Sequence, residues 1–140
     1  MKTACMLGVL VLSLSLCGMA VHAEDTFAQG ATAAAETWLG HVDAGDYAGS
    51  WREASAYVQG AITEHAWVAS LTRVRTPLGQ RLSRQLKQVQ HTTSMPGAPD
   101  GDYVVMQFDT RFTNQQAAVE TVTFRQEKPG RWKAAGYYIK

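Results

Sequence analysis

The stretch YVVMQFDTRF, residues 103–112, alternates from end to end. Val104, Met106, Phe108, Thr110 and Phe112 fall on one side, and Tyr103, Val105, Gln107, Asp109 and Arg111 on the other. Successive side chains of a strand point to opposite faces, so one apolar and one mixed side predict a strand with a single buried face. The same period continues on both flanks. Residues 118–127 alternate, with Glu120, Val122 and Phe124 sharing a side. Residues 131–139 form a last strand ending GYYI, and residues 80–92 form a first strand in which Leu82, Arg84 and Leu86 share a face. Turn residues rich in Pro, Gly, Asp and Asn separate the strands at 96–102, 113–116 and 127–131. Connections this short make neighbouring strands antiparallel, which predicts a four-stranded meander.

Upstream of Gly79 the period is helical. Phe27, Ala31, Ala34, Trp38 and Val42 recur at intervals of three or four and predict a first helix with one apolar stripe. Tyr47, Trp51, Ala54 and Val58 predict a second, shorter helix. Trp67, Leu71 and Val74 predict a third, stopped by Pro77 and Gly79. Tryptophans at this spacing are core-forming. The predicted fold class is α+β: three N-terminal helices packed on one face of the meander, in a two-layer, cone-like domain.

HVDAGDYAGSW, residues 41–51, has two acids around a glycine and could be read as a metal loop. A calcium loop needs further oxygen ligands at alternating positions and a closing Glu, and Ala44, Tyr47 and Ala48 supply none. An elbow accounts for the same residues fully. Gly45 suits the left-handed position that ends the first helix, and Asp46 suits the N-cap of the next.

Several segments together resemble the small exported bacterial family known as domain of unknown function 4019. They are TWLGHVDAGDYAGSW at 37–51, Trp67 with RTPLG at 75–79 and Arg84, PDGDYVVMQFDTRF at 99–112, ETVT at 120–123 and GRWKAAGYYI at 130–139. The helix, elbow and curved sheet also resemble the nuclear-transport-factor-2-like α+β cone. That second resemblance implies a pocket between sheet and helices and fixes no activity.

The first 23 residues read as a leader. Lys2 precedes an apolar run from Met6 to Leu16, and Val21-His22-Ala23 offers a cleavage site before Glu24. The run falls short of the ~20 residues that a membrane span needs. Lipidation at Cys17 is disfavoured, because Leu16 stands where lipoprotein signals carry a small residue. The expected product is a single domain, residues 24–140, located in the periplasm or secreted. It has no cysteine, because Cys5 and Cys17 leave with the leader.

Charge is segregated. Residues 24–64 carry seven acids and one base, whereas residues 65–99 carry five bases and no acid. The two runs are expected to lie against each other. No aromatic residue interleaves the basic run, which argues against nucleic acid. His41, His65 and His91 show no ligand spacing, so no metal and no cofactor are expected. No nucleophile motif occurs, and no catalytic residue is assigned.

One constellation carries chemistry. Arg84 and Glu120 both interrupt otherwise apolar faces and are expected to meet as an ion pair or at a ligand. The candidate ligand-binding residues are Arg84, Glu120, Trp51 and Tyr138. The expected role is a non-catalytic binding or interaction module, whose partner is a small ligand, another protein or a second copy of the chain. The alternative is a small cone-fold isomerase or dehydratase, with Glu120 or Asp109 as base and Tyr57, Tyr103 or Tyr138 as donor. A carboxylate facing inward without a partner would favour that enzyme.

Overall fold

The structure is a computed structural model that describes residues 19–140, with side chains from residue 25. The expected leader therefore lies mostly outside the described residues. The element order is α1 (Met19–Asp43), α2 (Tyr47–Arg52), α3 (Ala56–Ala61), α4 (Glu64–Arg75), a 3₁₀ turn (Thr76–Leu78), β1 (Arg81–Thr92), β2 (Tyr103–Phe112), β3 (Gln115–Lys128) and β4 (Arg131–Ile139). The strands form one antiparallel sheet in the order β1-β2-β3-β4, so the fold is α+β with a meander.

The elbow behaves as its residues predict. The Gly45 N–H donates to Val42 O and the Asp46 N–H to His41 O, the paired bonds of a Schellman close, with Gly45 at φ 75°. The Asp46 carboxylate then accepts the Gly49 N–H at 3.0 Å and caps α2. An ideal Cβ at Gly49 would lie 2.0 Å from Asp46 Oδ2, so the glycine makes room for its own cap.

The second predicted helix is divided into α2 and α3. The chain straightens at Ala54, which forms a parallel bridge to Ala134, and the Ser55 N–H donates to Ala134 O at 2.8 Å. Ser55 then caps α3 through Val58 N. Docking onto β4 overrides the helical spacing of Trp51, Ala54 and Val58 at this point.

Trp38 sits at the centre of the core, with its ring edge-on to Trp67, Phe124 and Tyr137 at 6.3, 6.0 and 5.6 Å. Its indole N–H donates to Ser50 O, and that of Trp67 to Ser50 Oγ. Both indoles therefore bury their rings without losing a hydrogen bond. Met106, Phe108, Val122 and Phe124 supply the sheet side of this core. Each such burial contributes about 1.5–3 kcal/mol.

Departures from simple alternation in β1 and β4 bear on the site. In β1, bulges fall between Arg81 and Ser83 and between Leu86 and Gln88. Leu82 lies in the first bulge and is exposed, so it does not extend a buried face with Arg84. In β4, Ala134 pairs with Phe124 but Gly136 pairs with Thr123, leaving Ala135 as an extra residue. Every side chain beyond it changes face.

Candidate functional site

Glu120 is 0% exposed. It stands on the inner face of β3, which alternation with Val122 and Phe124 fixes. Arg84 reaches it from β1 across β2, donating Nε to Oε1 at 2.7 Å and Nη2 to Oε2 at 3.1 Å. Thr110, from the intervening strand, donates its hydroxyl to Oε1 at 2.5 Å. The Tyr137 hydroxyl donates to Oε2. A carboxylate offers about four lone-pair sites, and four donors fill them.

Arg84 has a second carboxylate. Its Nη1 and Nη2 each donate to Asp43 at 2.8 Å. Asp43, the last residue of α1, also accepts Arg75 Nη2 at 3.0 Å and Arg81 Nε at 2.9 Å. The Arg75 guanidinium lies 4.4 Å above the Phe112 ring and is 3% exposed. Three arginines and two carboxylates thus tie the end of α1, the end of α4, β1 and β3 into one network, and Tyr137 adds β4. Here the acidic and basic runs of the sequence meet. The Schellman close ends α1 at Asp43 and so aims that carboxylate at β1.

The electrostatics follow from this packing. Burial alone would raise the Asp43 pKa, but the hydrogen bonds from Arg84 and the charges of Arg84, Arg81 and Arg75 outweigh it and hold it below the ordinary value. Burial works against the charged form of Arg84, yet Asp43 and Glu120 together push its pKa up, so it stays a cation. Burial and then the Glu120 charge drive the Tyr137 pKa upward, which keeps that hydroxyl a donor.

The network opens to water at its Asp43 and arginine end. A cleft of about 250 Å³ between α1 and β1 is lined by Glu36, Asp43, Arg81, Arg84, Leu86 and Phe108. Glu120 does not line it. Among the described residues, no three His, Cys, Asp or Glu side chains cluster as a metal would require.

The family model described as protein of unknown function (DUF4019) matches residues 34–137, well over half of the chain. The chain belongs to the DUF4019 family. Asp43, Arg75, Arg81, Arg84, Thr110, Glu120 and Tyr137 all fall inside the DUF4019 match. No curated protein and no solved structure matches the chain, and the cone resemblance is not confirmed.

The four candidate residues of this DUF4019 domain separate into three places. Arg84 and Glu120 share the buried network. Trp51 is half-buried under the helices and donates its indole N–H to Ile62 O. Tyr138 points away from the network, is 57% exposed and lines a groove beside α4. The tyrosine that reaches Glu120 is Tyr137, and the extra residue Ala135 is the reason. Of the other residues weighed, Asp109 pairs with Lys87 at 3.3 Å on the outer face. Tyr57 and Tyr103 donate to Gly97 O and Pro99 O. His41 meets Asp46 and His91 meets Asp102, each at 2.9 Å.

Proposed function

We propose that this DUF4019 protein is an exported, non-catalytic binding or interaction module, acting in the periplasm or outside the cell. The carrying observation is the saturation of Glu120. A general base needs a free lone pair within hydrogen-bond reach of a substrate proton. Glu120 has four donors on its oxygens and no exposure. The Tyr137–Glu120 pair resembles the acid-and-tyrosine arrangement of the enzyme alternative, but both groups serve the network. Export is supported by the basic start, apolar run and Val21-His22-Ala23 of the leader.

Native mass spectrometry of the protein purified from its own periplasm tests both parts. The expected mass is that of a chain beginning at Glu24 without lipid, together with a retained partner. A chain beginning at Cys17 with added acyl mass would overturn the location. A protein that carries only a turned-over small molecule would overturn the module.

A further inference from the structure

The groove between α4 and the end of β4 runs beside the network and the core, sharing Tyr137 with the first and Leu71 with the second. Ile62, Trp67, Leu71, Val74, Tyr138 and Ile139 line it, and it holds about 240 Å³. Val74 and Tyr138, 44% and 57% exposed, lie on it together.

Its second wall is an open sheet edge. Lys140 and Val119 exchange both backbone hydrogen bonds at 3.0 Å, which sets the ladder phase. Tyr138 therefore turns its N–H and C=O toward β3, and Tyr137 and Ile139 turn theirs outward. Lower on the same edge, Ser55 already occupies Ala134 O. Among the described residues, nothing outside β3 bonds the Tyr137 or Ile139 backbone. An exposed edge is usually blunted by charge or proline. The opposite edge strand, β1, carries Arg81, Arg84 and Lys87, whereas Gly136–Ile139 carries neither device.

These features define an occupant. Outward backbone groups ask for an extended backbone, and the apolar wall of α4 asks for apolar side chains at every second position. Arg73, next to Val74, is exposed and has no ion partner among the described residues, and residues 65–99 hold no acid to offer it one. A second copy paired through β4 would bring Arg131, Lys133 and Lys140 and no acid. We infer that this groove receives an extended, acid-flanked peptide segment of another protein as an added strand on β4. The inference rests on the module reading and names its site. Gly136–Ile139 spans roughly 10 Å at about 3.4 Å per residue, so the paired part of the peptide is about four residues long.

The test uses a random nonapeptide phage library, selected on the protein as its host releases it. The strongest peptide is then labelled with fluorescein for anisotropy. Enriched peptides should alternate apolar residues beside Asp or Glu. Binding should weaken at least about tenfold, equivalent to 1.4 kcal/mol, in Val74→Glu and separately in Tyr138→Glu. Melting temperatures should be unchanged, because both sites are exposed. N-methylation of alternate peptide amides should abolish binding. No enrichment, or equal binding to both variants, overturns the inference. So does a wild-type dimer in sedimentation that Val74→Glu dissolves, since the occupant is then a second copy. A partner retained in native mass spectra but bound equally by both variants would leave the module standing and remove only the groove.

Discussion

Removing Arg84 should unfold this protein more readily than any comparable surface change. Arg84 makes four hydrogen bonds, two to Glu120 at 2.7 and 3.1 Å and two to Asp43 at 2.8 Å. In Arg84→Met, Glu120 keeps only Thr110 and Tyr137 as donors and has no cation. Stranding a fully buried carboxylate in this way costs about 3–5 kcal/mol. Glu120→Gln is milder, because Arg84 stays neutralised by Asp43. It weakens charge-assisted bonds and should cost about 2–3 kcal/mol. The double change leaves no buried charge at position 120, and Arg75 and Arg81 still hold Asp43. Its cost should stay near that of Arg84→Met alone, a coupling of about 2 kcal/mol. Urea titration followed by tryptophan emission measures each value as a midpoint shift at constant slope. Losses that add to within about 0.5 kcal/mol would refute the pairing. If Glu120→Gln raised stability instead, the carboxylate would be a strained working group, and the enzyme reading would replace the module.

Two further predictions concern α1 and its elbow. The lowered Asp43 pKa means that the unfolded chain takes up this proton first as pH falls. Its stabilisation is present above the ordinary value of 3.8 and is lost as pH drops through the folded value. Asp43→Asn should therefore lower stability at neutral pH and flatten its dependence below about pH 5 in acid titrations; an unchanged acid profile would count against the network. Asp46→Ala should cost about 0.5–2 kcal/mol in the same urea assay and leave peptide binding intact. A variant of unaltered stability that lost binding would make Asp46 a functional acid.

The strands were readable because β2 and the middle of β3, from Ala118 to Phe124, alternate around one buried face. The elbow was readable because Gly45 and Asp46 each have a local reason to be there. Arg84 and Glu120 announced themselves as charges on apolar faces. The rest depended on contacts that no local pattern encodes. Asp43 looks like any polar residue at a helix end, and only the angle at which α1 leaves the sheet brings it to three arginines. Counting by twos from Trp132 and Ala134 turns Tyr138 inward. The bulge at Ala135 reverses that count and delivers Tyr137. The break between α2 and α3 escaped for a similar reason: Ala54 and Ser55 take their geometry from Ala134, eighty residues away in Ala54's case.

The contact between Asp46 and Gly49 also bears on how this sequence can diverge. Alanine suits a helix interior better than glycine by roughly 1 kcal/mol. At position 49 that gain is offset while Asp46 is present, because the new methyl group would displace the carboxylate from the N–H it caps. Once Asp46 has been replaced by a residue without that carboxylate, the atoms 2.0, 2.6 and 2.8 Å from the methyl position are gone, and the conflict that opposed alanine goes with them. The two sites thus show epistasis. A lineage that drifts first at 49 gains nothing, whereas one that first loses the acid at 46 finds alanine at 49 a compensating step.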